Sequence, residues 1–102
     1  MSEVEYPVQW TRSAEKDLES VLKFVAEDRL LSAALLAARL EEVVGHLSLN
    51  PRMGRVPRDK DLARKDFRHL VVGGYLIFYK FTREVVFIHR IIHGARDYPG
   101  LL

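Results

Sequence analysis

Residues 67–92 read FRHLVVGGYLIFYKFTREVVFIHRII, and this stretch decides the fold. Three runs rich in Val, Ile, Phe and Tyr are separated by two short turn signals, Gly73-Gly74 and Thr82-Arg83-Glu84. β-branched and aromatic residues favour strands, and tight turns join antiparallel neighbours. The stretch therefore predicts an antiparallel meander, with strands over Phe67–Val72, Tyr75–Phe81 and Val85–Ile92.

The first half of the chain predicts one strand and two helices. Residues 4–10 alternate apolar and polar side chains, which is typical of a half-buried strand, and Pro7 favours a position at a sheet edge. Thr11 is the expected cap of a first amphipathic helix. Ser32 is the expected cap of a second helix, which ends at Asn50-Pro51. Two such helices with a short connection predict an antiparallel hairpin.

This element order defines an α+β fold, β-α-α-β-β-β, in one domain over residues 1–102. We expect the helical hairpin to cover one face of a four-stranded sheet and to leave the other face partly open. The polar, basic run over residues 52–65 is predicted to be a surface loop between the helices and the meander.

Composition bounds the class of protein. The chain has no cysteine, which excludes disulfides and thiolate metal sites. Acidic Glu3 and Glu5 stand where a signal peptide needs a basic start, and no apolar run of about 18 residues could span a membrane. We therefore expect a cytoplasmic protein with no membrane association and no cofactor.

Charge is distributed unevenly along the chain. Residues 1–51 carry five Lys/Arg against nine Asp/Glu, a net −4, whereas residues 52–69 carry seven against three, a net +4. This distribution indicates an anionic partner for the basic segment, although a solvated basic loop has the same composition.

Several segments, taken in order, resemble the RelE/ParE superfamily of bacterial toxins. Trp10-Thr11 with Ala14 and Asp17-Leu18 opens the first helix, and Leu47, Pro51, Gly54 and Arg55 match the family's segment that ends the second helix. Arg68-His69-Leu70, Tyr75–Tyr79 and the stretch over residues 88–97 complete the match. The residues His93-Gly94-Ala95-Arg96-Asp97 are similar to the ParE branch in particular. The resemblance implies the toxin of a type II toxin–antitoxin system, with a cognate antitoxin as its partner in a hetero-oligomer.

The superfamily joins two activities. RelE-like members cut mRNA at the ribosome, and ParE-like members inhibit DNA gyrase. RelE-like proteins place an arginine after the tyrosine of the third strand, where this chain has Leu76. The resemblance therefore favours the ParE-like activity. It implies growth arrest through inhibition of gyrase and a role in plasmid stabilization. The expected target-binding residues are His93, Arg96, Asp97 and Tyr98, with no catalytic residue. The alternatives are an mRNA endonuclease that uses Arg68, His93, Arg96 and Tyr98, and an inactive binding module of the same fold.

Two further features of the sequence bear on partners. His89 and His93 lie an even number of residues apart on one predicted strand, so we expect them to share a face. With Asp97 as the only nearby acid they make a weak metal-ligand set, and no metal site is predicted. Acidic residues of the antitoxin are expected to meet Arg55, Arg58, Arg64 and Lys65.

Overall fold

The computed structural model describes residues 5–94, 96 and 98–102, and its main elements follow the predicted order. The strands are β1 (Val8–Trp10), β2 (Arg68–Val72), β3 (Tyr75–Phe81) and β4 (Val86–His93). The helices are α1 (Arg12–Asp28), α2 (Leu30–Leu49) and the short α3 (Lys60–Arg64), with 3₁₀ turns at Pro51–Met53 and Pro99–Leu101. The predicted β-α-α-β-β-β order is confirmed, and α3 is an addition to it.

The four strands form one sheet in the order β1-β4-β3-β2. The meander β2-β3-β4 is antiparallel, as predicted, and β1 lies parallel to β4 at the sheet edge. Gly73 and Gly74 turn the chain between β2 and β3 with φ of 54° and 85°, a left-handed conformation that glycine adopts without strain. The first strand is shorter than the predicted residues 4–10, and Tyr6 instead donates its N–H to the Ser48 carbonyl at 2.8 Å.

The helical hairpin begins as predicted but turns differently. The Thr11 hydroxyl accepts the Ala14 N–H at 3.1 Å and caps α1. The prediction of Ser32 as the second cap is wrong, because α2 already begins at Leu30 and a single extended residue, Arg29, joins the two helices. Leu30 and Leu31 are exposed, so apolar periodicity does not mark the first turn of α2. No described helix combines the length and apolar composition needed to cross a membrane.

The main core lies between the helical hairpin and one face of the sheet. Helix α2 contributes Leu36, Leu40 and Leu47, and α1 contributes Ala14. These side chains meet the buried strand residues Val72, Ile77, Tyr79, Val86, Ile88 and Ile91. Each fully buried Leu or Ile of this kind contributes roughly 1.5–3 kcal/mol through removal of its apolar surface from water.

A second, smaller core covers part of the opposite face. Leu62, Phe67, Phe78 and Ile92 are buried together, and Tyr98, Leu101 and Leu102 pack against them. Leu62 comes from α3, so the prediction of residues 52–65 as a loop throughout is wrong. Asp59 caps this helix by accepting the Leu62 N–H at 3.0 Å, and Leu62 itself is 2 % exposed. The buried Leu62 and the capping Asp59 therefore order a segment whose polar composition predicts a solvent-exposed loop.

A bulge in β4 reverses the alternation of its side chains. Phe78 lies opposite Arg90 and Tyr79 lies opposite Ile88, so His89 is an extra residue on β4. Ile88 and Ile91, three residues apart, therefore both face the helices. The prediction that His89 and His93 share a face is wrong for the same reason: His89 contacts Phe67 of the second core, and His93 contacts Tyr75 of the first.

Candidate functional site

Two of the predicted target-binding residues lie together where β4 ends. His93 is the last residue of β4, and its ring lies edge-on to Tyr75 with 5.3 Å between ring centroids. The Arg96 N–H donates to the His93 carbonyl at 3.0 Å, which turns the chain directly after the strand. Both side chains are exposed. Asp97, the third predicted residue, lies outside the described residues.

These two residues form one wall of an open groove of about 520 Å³, here called the His93 groove. Helix α1 lines the groove with Ser20, Val21, Phe24 and Asp17, whose carboxylate is paired with Arg90, and Tyr75 also contributes. Phe24 is 70 % exposed, which is unusual for a large aromatic side chain. An exposed aromatic beside an arginine is a combination enriched in the energetic centres of protein interfaces, so the groove is suited to a protein surface with apolar and acidic groups.

Tyr98, the fourth predicted residue, lies on the other face of the sheet. Its ring packs on Phe78 with 5.0 Å between ring centroids, and it belongs to the second core. The structure therefore separates Tyr98 from His93 and Arg96, although the three are close in sequence.

Arg68, which the endonuclease alternative requires, lies toward the far end of the sheet. Its position on β2 is opposite Tyr79, whereas His93 is opposite Tyr75. Four residues along β3 correspond to about 13 Å. Arg68 Nη1 donates to the carbonyls of Gly54 at 2.9 Å and Arg52 at 3.2 Å, so this side chain holds the turn that follows α2.

Leu76 stands at the position where an RNase of this fold is expected to carry a cation. Its side chain is apolar, and so are the side chains around it. Leu76 lies opposite Ile92 and packs against the second core. His89 lies on the same face, and the centroid of its ring is 5.2 Å from the centroid of the Phe67 ring. Burial, followed by the charge of Lys80, lowers the pKa of His89 below its usual value, which favours the neutral imidazole. Within the described residues no three His, Asp or Glu side chains converge as metal ligands would.

The four residues expected to meet an antitoxin lie in and beside α3. Arg55 and Arg58 precede the helix, Arg64 ends it and Lys65 follows; all four are exposed. Arg55 exchanges two backbone hydrogen bonds with His69, each of 2.9 Å, so the segment is fixed to the outer edge of β2. Arg64 pairs with Asp61 at 3.2 Å, which reduces the net positive charge that it presents.

An ion pair that sequence reasoning missed borders the His93 groove. Arg90 donates to both carboxylate oxygens of Asp17, at 2.6 Å and 3.1 Å, and the Asp17 bond to the guanidinium raises the pKa of Arg90. Asp17 also accepts the Ile91 N–H at 3.0 Å. Both residues lie within the segments that resemble the family, but 73 positions separate them and no local pattern connects them.

A second missed arrangement explains the segment after α2. The Tyr79 hydroxyl donates to the Pro51 carbonyl at 2.7 Å and accepts the Gly54 N–H at 2.8 Å. Burial raises the pKa of Tyr79, with the Gly54 hydrogen bond opposing the shift, so the hydroxyl stays protonated and able to donate.

Comparison with known proteins agrees with this architecture. The family model described as "ParE toxin of type II toxin-antitoxin system, parDE" matches residues 8–98. Among curated proteins, no significant sequence match is found. A chain of the chromosomal ParDE toxin–antitoxin system from P. aeruginosa has the same fold, with a TM-score of 0.70 and 20 % identity over 90 % of this chain and 98 % of that one. A chain of the RelBE2 toxin–antitoxin complex from Mycobacterium tuberculosis is 31 % identical over 93 % of this chain and 98 % of that one, with a TM-score of 0.65. Since the family model spans nearly the whole fold, this chain belongs to the ParE toxin family of type II toxin–antitoxin systems.

Proposed function

We propose that this protein arrests growth by inhibiting DNA gyrase and is silenced by a cognate antitoxin. One observation carries the choice of gyrase over mRNA: the groups that the endonuclease alternative requires do not meet. His93 and Arg96 line the His93 groove, Tyr98 packs on the opposite face of the sheet and Arg68 braces a turn toward its far end.

Cleavage of RNA at a 2′-hydroxyl needs a base, an acid and a cation around one phosphate. At a single phosphate these groups must all lie within hydrogen-bond reach of the reacting atoms. The backbone positions of Arg68 and His93 lie about 13 Å apart along the sheet, and the Arg68 guanidinium is occupied by the carbonyls of Gly54 and Arg52. Leu76, at the place of the phosphate-stabilising arginine, adds neither charge nor a hydrogen-bond donor. A non-enzymatic toxin that acts by binding fits these residues better.

The His93 groove supports a protein target. It is open and combines the apolar wall around Phe24 with the cationic side chain of Arg96. Such a surface suits a folded partner with a complementary apolar and acidic patch. We therefore assign His93 and Arg96 to target binding and regard Tyr98 as a residue that shapes the adjoining tail.

The antitoxin is supported by the similar chain from a RelBE2 toxin–antitoxin complex and by apolar surface on the helical hairpin. Leu30, Leu31 and Leu35 are 76 %, 66 % and 58 % exposed at the start of α2. Three exposed leucines within six residues make a patch that a folding partner segment would cover. Another part of the antitoxin would place carboxylates on Arg55, Arg58, Arg64 and Lys65, which come after the end of α2, and electrostatic attraction there would raise the association rate.

The decisive experiment compares the two targets directly. Purified toxin should inhibit gyrase supercoiling of plasmid DNA, and the Arg96→Ala variant should inhibit it less. The same preparation should leave mRNA uncut in a translating ribosome assay. Codon-specific mRNA cleavage with supercoiling intact would instead establish the endonuclease.

A further inference from the structure

A cationic cleft surrounds Phe81 at the end of the sheet away from the His93 groove. The guanidinium carbon of Arg52 lies 5.4 Å from the centre of the Phe81 ring, and that of Arg68 lies 5.7 Å from it. Arg83 follows Phe81 by two residues and lines the same region. We call this surface, defined by Arg52, Arg68, Phe81 and Arg83, the Phe81 cleft.

The cleft has two recesses, one on each side of Arg52. The larger, of about 470 Å³, is lined by Tyr6, Leu49 and Arg83 among others. The smaller, of about 260 Å³, is lined by Val56, Asp66 and Arg68. Arg52 and Phe81 border both recesses, so the two form a continuous surface.

Positive charge in the Phe81 cleft is not compensated by the chain itself. Within the described part of the protein, neither Arg52 nor Arg83 forms an ion pair; the pairs present there join Arg64 to Asp61 and Arg90 to Asp17. Asp66 is the one acidic residue among those that line the two recesses. Arg52 and Arg83 are exposed and hold guanidinium groups that a carboxylate can reach.

Exposed apolar side chains lie close in sequence to Arg52. Leu49 is 47 % exposed, Met53 is 38 % exposed and Val56 is 54 % exposed, and all three lie within eight residues that include Arg52. Successive side chains of an extended chain point in opposite directions, so a peptide that alternates apolar and acidic residues can direct all its carboxylates to Arg52 and Arg83 and all its apolar side chains to Leu49 and Val56.

A nucleic acid fits this surface less well. The Phe81 ring is already contacted by two guanidinium groups and stacks on Tyr79 with 6.5 Å between centroids, which leaves little of it for a base. A phosphate backbone would also gain nothing from the exposed Leu49, Met53 and Val56.

We propose that the Phe81 cleft binds an extended, acidic and apolar peptide segment of the antitoxin, with carboxylates on Arg52 and Arg83. The identification of the peptide as an antitoxin segment rests on the proposed function. The smaller recess borders Ala63 of α3, whereas the larger recess contains no residue of that helix. The larger recess therefore adds a second anchoring point toward the β1 side of the sheet, where β1 and Tyr6 lie.

The test uses the whole chain and a short fluorescein-labelled peptide that alternates leucine and glutamate. Fluorescence anisotropy should show binding, and Arg52→Gln/Arg83→Gln should weaken it about tenfold, the loss expected for two accessible charge contacts. The matched control is Arg12→Gln/Arg39→Gln, which removes two exposed arginines of α1 and α2 and should change the affinity less than about twofold. Arg68 is left intact because it braces the turn after α2.

Three results would overturn the proposal. They are equal weakening by the control pair, undiminished binding of a peptide with glutamine in place of glutamate, and tighter, Arg52-dependent binding of a single-stranded oligonucleotide. Co-expression separates this proposal from the proposed function. Arg52→Gln/Arg83→Gln should arrest growth yet be rescued less well than the wild type by a co-expressed cognate antitoxin. If the wild type does not arrest growth, the proposed function fails, while the anisotropy result still decides whether the cleft binds the peptide.

Discussion

Asp17 on α1 and Arg90 on β4 form a two-point ion pair, with Arg90 Nε 2.6 Å from Asp17 Oδ2 and Nη2 3.1 Å from Oδ1. Arg90 Nη1 also donates to the Leu101 carbonyl at 2.6 Å, so one side chain joins the first helix, the last strand and the C-terminal segment. The side chains are only 24 % and 16 % exposed. Little solvent therefore screens the pair, unlike most pairs on a protein surface.

Asp17→Ala should lower the free energy of unfolding by about 2 kcal/mol, because Arg90 and the Ile91 N–H lose their acceptor in a largely buried place. Urea denaturation measures this change. The control is Arg64→Ala, whose pair with Asp61 has side chains 76 % and 78 % exposed. Its effect should stay within about 0.5 kcal/mol. Comparable losses for the two variants would contradict a special role for the Asp17–Arg90 pair.

Gly54 and Tyr79 should be energetically coupled. A Cβ atom at Gly54 would lie 2.5 Å from the Tyr79 hydroxyl oxygen and 2.7 Å from its Cε1, so Gly54→Ala should be destabilising. Tyr79→Phe should cost about 1–3 kcal/mol, since it leaves the Gly54 N–H and the Pro51 carbonyl without their partner. A double-mutant cycle by urea denaturation should show that Gly54→Ala costs less in the Tyr79→Phe background than alone. Strict additivity would show that the two residues act independently.

Local patterns predict much of this fold because they act over a few residues. Runs of Val, Ile, Phe and Tyr mark the meander strands, Gly73-Gly74 marks the turn between the first two of them and Thr11 caps α1, each through effects among near neighbours. The reason for glycine at position 54 lies 25 residues away in Tyr79, where no local pattern can reveal it. The Asp17–Arg90 pair is hidden for the same reason.

The candidate site was harder to predict because its composition depends on the bulge at His89 and on the placement of Tyr98 on the opposite face of the sheet. His89 is itself compatible with a strand, so nothing in the sequence marks it as the extra residue. The bulge places His89 and His93 on opposite faces, and Tyr98 reaches the second core only after the chain has turned beyond β4. Arg68 resembled a candidate for RNA cleavage, but its guanidinium serves backbone carbonyls of the turn after α2.

Acid should destabilise the protein through His69 and His89. Burial lowers the pKa of both, with smaller contributions from the charges of Arg55 and Lys80, and His69 Nδ1 is buried without a hydrogen-bond partner. The folded state then binds a proton more weakly than the unfolded chain, whose histidines titrate near pH 6.5. The free energy of unfolding is therefore highest above about pH 6.5 and falls as the pH drops below that value. It becomes constant once the pH is below the lowered pKa values of the folded state.

Urea midpoints measured between about pH 7.5 and 5.5 should thus decrease toward acid. The double variant His69→Gln/His89→Gln should flatten the dependence. His46→Gln, which replaces an exposed histidine of α2, should leave it unchanged. A wild-type midpoint that is constant or rises toward acid would refute the assignment.

Toxicity should depend on the His93 groove and not on the position of Leu76. Arg96 is exposed and lines the groove, so Arg96→Ala should reduce growth arrest and gyrase inhibition while leaving the unfolding midpoint within about 0.5 kcal/mol of the wild type. Arg39→Ala, on the exposed surface of α2, is the matched control and should keep full toxicity.

Leu76→Arg tests the opposite possibility, that a cation at this place would restore RNA cleavage. The Leu76 side chain packs on the second core opposite Ile92, so an arginine there must either bury its charge or leave the cluster. We expect a loss of about 1–3 kcal/mol in unfolding free energy and no gain in mRNA cleavage, because Leu76 and Tyr98 share the second core, whereas His93 and Arg96 line the His93 groove and Arg68 lies toward the far end of the sheet. Ribosome-dependent cleavage assays and urea denaturation on the same preparation provide both measurements. If Leu76→Arg cut mRNA while Arg96→Ala left growth arrest intact, the geometry would favour the endonuclease, and the groove would lose its assigned role.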